Sequence, residues 1–319
     1  MTLNNSDKNM VGILGSGFGL YGYLPAVAIN RNNSIVLINE SKHKFDARPE
    51  LAEFKENVHW LDKDSFYEQI DTLVVCLSPE GQFSSVTCAL NYPNIRYLAL
   101  EKPLAINPAK SHELLGALIK SGKHYRIGYN FQYTNWGKAL LDMFNDPNPR
   151  KVKIDWYFRA HHYVQNLKNW KRYNSTGGGT IRFYGIHLIA LLAHVGSCKI
   201  LSSSSFSHSD DEIYRWCARF EVNSIHTMEI DIDAKASVNK FVIETEAKSY
   251  KDDMKTRVSM NDPFDEYVSS SGVQDRRVGV VKPVLDSLKE DDQQYYWNNI
   301  YYKVNSLWEQ IENVNSLSV

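Results

Sequence analysis

The chain has 319 residues, 43% hydrophobic and 23% charged, which excludes a disordered or fibrous protein and suits two globular domains. A formal net charge of −1 provides no global field to attract nucleic acid or an anionic membrane. Cys76, Cys88, Cys198 and Cys217 lie far apart without a C-x-x-C pair, so they read as buried free thiols, not a zinc site or disulfide framework.

The first ten residues are polar and lack a signal-like apolar core, and no apolar run reaches membrane-spanning length, so a cytoplasmic location is expected. The 19 tyrosines and 7 tryptophans suit a large, partly wet pocket or a tightly packed sheet equally well.

Residues 10–14 read as an apolar strand running into Gly15-Ser16-Gly17-Phe18-Gly19 and then a helix. A strand, glycine turn and helix form a mononucleotide-binding start: Gly15 allows the turn, Gly17 admits a pyrophosphate, and the helix N-terminus offers N–H groups. The third glycine of G-x-G-x-x-G falls on Leu20, with Gly19 one place early. A second strand, 34–40, ends in Glu40, placed to accept from ribose hydroxyls and to favour NAD. Ser41 and Lys42 could instead hold a 2′-phosphate, or Glu40 could be a solvated strand end.

Alternation continues with helices at 51–57 and 64–70, then strands at 58–60 and 71–79. A helix after Pro79, a strand at 95–103, a helix at 107–122 and a strand at 124–130 complete a doubly wound parallel sheet. Ligands of such sheets lie beyond the carboxyl ends of the strands. Those ends carry Gly15–Gly19, Glu40, Ser78-Pro79, Glu101-Lys102-Pro103 and Asn130.

Four features share an order and spacing: Gly15-x-Gly17-Phe18-Gly19, "YLPA" at 23–26, Glu101-Lys102-Pro103, and "GGGxxxxxGIH" at 177–187. With them the chain resembles the glucose–fructose oxidoreductase / inositol dehydrogenase (Gfo/Idh/MocA) family over roughly residues 10–200. The resemblance implies an α/β fold of two parts. Residues 1–124 would form a dinucleotide-binding Rossmann domain. Residues 125–319 would form a substrate-binding and oligomerisation domain on a large, open, mostly antiparallel sheet. It also implies NAD, with NADP possible, between the domains, a sugar or nucleotide-linked sugar substrate, and a homo-oligomer, dimer or tetramer. The cofactor set would be Gly15, Gly17, Phe18, Gly19, Glu40, Ser78, Pro79, Glu101 and Lys102, with a cis bond before Pro103.

Lys102 would hydrogen-bond the reacting hydroxyl, and a partly desolvated lysine near a cationic nicotinamide suits proton transfer. A purely structural Glu101–Lys102 pair is the alternative.

His187 occupies the family's histidine position and joins Lys102 as a catalytic candidate. Phe183 stands four residues earlier, where the family has aspartate; on an α-helix both would share one face. Three readings stay open: chemistry by Lys102 and His187 with Phe183 shaping the pocket, altered non-redox chemistry, or a degenerate site whose nucleotide is structural or regulatory. Other departures are Gln132 at an arginine place and Phe83 near a histidine place. Arg182 could bind a substrate anion or pair with a nearby acid.

Residues 151–170 are expected to form one long strand. Arg159, His161 and Tyr163 would share a sugar-binding face, joining Asn130, Gln132 and Phe183 as substrate residues; no metal site is expected. Strand-like runs follow from 199. Residues 248–280 read as a polar, turn-rich excursion. A final helix would pack through Tyr296, Ile300, Val304, Leu307 and Ile311.

Overall fold

A computed structural model of the chain describes residues 9–209, 211–248, 253–267 and 275–318. They form two compact units. One comprises residues 1–105, 113–130 and 267–298, the other residues 106–112, 131–266 and 299–319.

The first unit is built on six parallel strands: β1 (Asn9–Leu14), β2 (Asn33–Ile38), β3 (Val58–Leu61), β4 (Thr72–Val75), β5 (Tyr97–Leu100) and β6 (His124–Ile127). Their order is β3-β2-β1-β4-β5-β6. Helices α1 (Leu24–Ala28), α2 (Lys42–Asp46), α3 (Lys63–Phe66), α4 (Pro79–Ala89) and α5 (Pro108–Ser121) intervene in the chain. The fully buried run Leu73, Val74 and Val75 in β4 shows why strands covered on both faces read as continuous apolar stretches. β1 lies between β2 and β4, so the winding reverses there, and a doubly wound sheet opens its ligand crevice at that reversal. The expected strands at 71–79 and 95–103 are shorter: β4 ends at Val75 ahead of α4, which begins at Pro79, and β5 ends at Leu100 ahead of the Glu101-Lys102-Pro103 turn.

The second unit is built on α6 (Asn135–Asn145), β7 (Arg150–Arg159), α7 (His161–Val164), α8 (Ile186–Ala193), β8 (Cys198–Ser207), β9 (Ile213–Val222), β10 (His226–Asp233), β11 (Lys235–Lys248) and β12 (Asp253–Met260). Later in the chain come α9 (Val278–Ser287), α10 (Gln294–Val314) and β13 (Ser316–Ser318). The sheet order is β12-β11-β7-β10-β9-β8-β13. Pairing is antiparallel except for β10 with β7 and β13 with β8. Trp216, Phe220, Met228 and Ile230 alternate with polar neighbours and bury one face of the sheet. "SSSS" at 202–205 is part of β8.

The fold class is the one expected, but several details differ. The strand expected over 151–170 ends at Arg159, because Ala160 opens the one-turn helix α7. The polar stretch 248–280 contains β12 and the start of α9, while 249–252 and 268–274 lie outside the described residues. The sequence reading divides the chain once, at 124/125, whereas residues 267–298 return to the first unit. Val278, Val281 and Leu288 enter its core with Leu24 and Val27, so burial outweighs chain order. The last helix forms, but Tyr296 is 47% exposed; Tyr301 and Trp308 are buried with Ile300, Val304, Leu307 and Ile311. All four cysteines are free as expected, yet Cys88 is exposed and the others are half-buried. No helix among the described residues is long and apolar enough to cross a membrane.

Candidate active site

The glycine turn follows β1. Gly15 has φ +113°, and a Cβ there would lie 2.2 Å from the Cys76 carbonyl oxygen, so only glycine fits. Gly17 is exposed, with no atom within 4 Å of where its Cβ would stand. That open backbone is the cradle a pyrophosphate requires. Gly19 is buried, and Leu20 is fully buried at the third-glycine position. The helix opens as a π-helical turn, Gly19–Tyr23. The Phe18 ring lies against Gly22 and edge-on to Tyr21 and Tyr23.

Arg277 was not found by sequence reasoning. Its guanidinium lies 4.2 Å from the Phe18 ring centroid and donates two bonds to Asp275, at 2.9 and 2.8 Å. Burial opposes the Arg277 charge, but the Asp275 carboxylate overrides this and raises its pKa. No local pattern marks Arg277, since it is 259 residues beyond Phe18 in the numbering of the chain.

At the end of β2, Glu40 is exposed in a 3₁₀ turn and Ser41 is buried. Lys42 pairs with Asp46 at 3.1 Å and lies over Trp60. Lys44 Nζ reaches Ser16 Oγ at 3.0 Å, and Arg48 donates to the Ser16 carbonyl at 3.4 Å.

Ser78 caps α4 by accepting from the Gly81 N–H, with Pro79 in the first turn, where proline's missing N–H costs nothing. One turn on, buried Gln82 holds the Glu101-Lys102-Pro103 turn. Its Nε2 donates to the carbonyls of Glu101, Pro103 and Leu104 at 2.7, 3.2 and 3.1 Å, and its Oε1 accepts from the Glu101 N–H at 2.8 Å. The Lys102–Pro103 bond is cis, as the resemblance implied. Gln82 was also missed; its neighbour Phe83 drew attention because of the family pattern.

Tyr23 Oη donates to Glu101 Oε1 at 3.0 Å. Burial pushes the Glu101 carboxyl upward, opposed by Lys102, Tyr23 and Arg277. Thus one unit brings the glycine turn, the α4 cap and the Glu-Lys-Pro turn together at the β1/β4 reversal. Asn130, at the end of the β6 segment, is buried, and its Oδ1 has no hydrogen-bond partner among the described residues. Such an acceptor suits a ligand donor.

In the second unit, Gly177 and Gly179 have φ +87° and +76°, and a Cβ on Gly178 would lie 2.1 Å from the Trp170 carbonyl oxygen. All three glycines are therefore required by the turn. The next segment, Thr180–Gly185, is a π-helical turn, and α8 starts only at Ile186. The α-helical spacing assumed for Phe183 and His187 thus does not hold: the residues belong to different helix types, and the extra residue per turn shifts their angular relation. Phe183 meets Trp170 and Tyr184 edge-on, at 5.2 and 4.7 Å between centroids. His187 is 5% exposed and stacks on Phe131 at 4.6 Å. Phe131 lies in the 3₁₀ turn Asn130–Tyr133, which also carries half-buried Gln132.

Arg182 has a structural role. It forms two bonds to Glu312, at 2.6 and 2.8 Å, and donates to the carbonyls of Ile106 and Asn174, at 2.9 and 2.6 Å. A guanidinium so engaged has no donor pair left for a substrate anion. Arg159 ends β7, whereas His161 and Tyr163 lie in α7, so the single strand face proposed for these three does not form. His161 is exposed, and Tyr163 lies under the Arg172 and Lys235 cations, both 5.2 Å from its ring. Among the described residues no group of three or more His, Cys, Asp or Glu could hold a metal ion.

No protein-family model matches the chain, and no curated protein matches its sequence. Solved structures do share its fold. The 3-ketoreductase KijD10 from Actinomadura kijaniata, in complex with NADP and TDP-benzene, superposes with a TM-score of 0.71 at 10% identity, over 97% of this chain and 98% of that one. GenD2 from gentamicin A biosynthesis, in complex with NAD, gives 0.71 at 14% identity over 97% and 94%. A super-repressor mutant of Gal80p from Saccharomyces cerevisiae gives 0.71 at 14% identity over 96% and 95%. At such identities the likeness establishes the fold: a parallel, Rossmann-type sheet followed by a large, mostly antiparallel one.

Proposed function

We propose that this protein is a nicotinamide-dinucleotide-dependent oxidoreductase acting on a CH–OH group of a sugar or nucleotide-linked sugar, in the service of surface glycan synthesis. The observation that carries this reading is the Gln82 clamp, which holds the Glu101-Lys102-Pro103 turn in the same unit as the open glycine turn at Gly17. The residues fit the cofactor: Gly15, Gly17, Phe18 and Gly19 offer backbone to its phosphates, Glu40 offers a carboxylate to a ribose, and Ser78, Pro79 and Glu101 shape the adjoining turns. The NADP and NAD in KijD10 and GenD2 support that reading.

When bound, the dinucleotide supplies the two-electron exchange with the substrate carbon. Lys102 Nζ takes the proton from the substrate hydroxyl in oxidation and returns it in reduction. Gln82 fixes the backbone from which Lys102 projects. His187 shares the proton work, with its ring orientation set by Phe131. Asn130, Gln132, Arg159, His161, Tyr163 and Phe183 are the proposed substrate residues, and a dimer or tetramer is the proposed assembly, which light scattering tests.

The deciding experiment mixes the protein with NADH or NADPH and a panel of keto-sugar nucleotides and follows the reduced-nicotinamide absorbance. Turnover abolished by Lys102→Ala and by His187→Ala supports the mechanism; turnover surviving both refutes it. A second reading, a nucleotide-responsive binding protein, is favoured by Phe183 at the aspartate place. Tight dinucleotide binding without turnover would support it.

A further inference from the structure

We propose that Lys44 and Arg48 form a phosphate subsite beside the glycine turn that makes the 2′-phosphorylated dinucleotide, NADP(H), the preferred cofactor. This rests on the cofactor reading above and deepens it. Two cations from one short segment converge on Ser16, the residue between Gly15 and Gly17: Lys44 on its hydroxyl at 3.0 Å and Arg48 on its carbonyl at 3.4 Å. The Arg48 guanidinium also lies 5.2 Å from the Tyr21 ring centroid, which restricts its orientation.

Among the described residues neither cation has a carboxylate partner, and like charges gathered about one residue favour an anion there. Lys42, the cation that the sequence singles out, differs: Asp46 and Trp60 occupy it. Space is available too, since nothing lies within 4 Å of the Cβ position at exposed Gly17.

Two phosphate sources fit this chemistry, the 2′-phosphate and the pyrophosphate bridge. Placement favours the first. Lys44 and Arg48 follow β2, the strand whose end carries Glu40, the ribose-reading residue of such folds, and the 2′-phosphate is borne by that ribose. Exposed Glu40 opposes a 2′-phosphate by like charge, and the two cations have to outweigh that one carboxylate. The pyrophosphate has the glycine-turn N–H groups instead.

The test is calorimetric titration of the full-length protein with NADPH and with NADH, repeated for Lys44→Ala/Arg48→Ala and for Lys44→Glu. The expectation is NADPH bound at least about ten-fold tighter than NADH. The double variant should lose that difference with its NADH affinity unchanged, and Lys44→Glu should favour NADH. Equal affinities in the native protein, selectivity surviving in the double variant, or a parallel loss for both dinucleotides would overturn the proposal. The last result would mark a pyrophosphate contact. Binding of neither dinucleotide would overturn the cofactor reading itself.

Discussion

Gln82→Leu removes the clamp on the Glu-Lys-Pro turn while nearly conserving volume. The Gln82 amide has two N–H groups facing three carbonyl oxygens, and its oxygen accepts one N–H. No more than three full hydrogen bonds are therefore lost, worth about 1 kcal/mol net each. The carbonyls of Glu101, Pro103 and Leu104 lose this partner, whereas the Glu101 N–H keeps its bond to the Val75 carbonyl at 3.1 Å; where a carbonyl is left buried and unpaired, that net value is replaced by a cost of about 1–3 kcal/mol. Allowing for partial relaxation, the loss should be about 3–5 kcal/mol, a large share of ordinary domain stability.

Gln82→Glu keeps an acceptor but turns a carboxylate toward the three carbonyls. It should match that loss at neutral pH and recover part of it on acidification, when protonation restores one donor. Urea denaturation gives the stability. Turnover should fall more than dinucleotide affinity, because the clamp holds the backbone of Lys102. A loss under about 1 kcal/mol would refute the reasoning.

Arg182→Ala should cost about 3–5 kcal/mol, because it strands Glu312 in a partly buried place beside the Trp308 indole, with substrate affinity unchanged; a selective rise in KM would restore the anion-binding role. Phe183→Asp should lower both stability and turnover, since the ring is packed between Trp170 and Tyr184; a rise in turnover would show that a carboxylate there works with His187.

His162 and His194 titrate at about 4, both lowered chiefly by burial, with Lys171 and Arg172 adding to the first and Lys303 to the second. A lowered folded pKa means that the unfolded chain binds more protons between about 6.5 and about 4. Stability should therefore be full above the unfolded value and fall through that window by about 2–3 kcal/mol per residue. Chemical denaturation at stepped pH measures it, and His162→Phe should flatten the slope.

The sequence by itself determined the sheet of the first unit, its glycine turn, the Glu-Lys-Pro turn and the strand-rich second half. These depend on local information: apolar periodicity, glycines that need positive φ, and a proline after a strand. Only the tertiary structure decided which side chains serve those turns. Gln82 reaches Glu101 across 19 positions, Tyr23 reaches Glu101 across 78, and Arg182 finds Glu312 across 130. The same holds for Arg277 on Phe18 and for the return of 267–298 to the first unit. The π-helical turn at Thr180–Gly185 changed the relation of Phe183 to His187 without any mark in the residue spacing. Periodicity specifies which face of an element is apolar; it carries no record of the distant partner that a buried polar group must find, and that search is settled by packing and hydrogen-bond satisfaction over the whole chain.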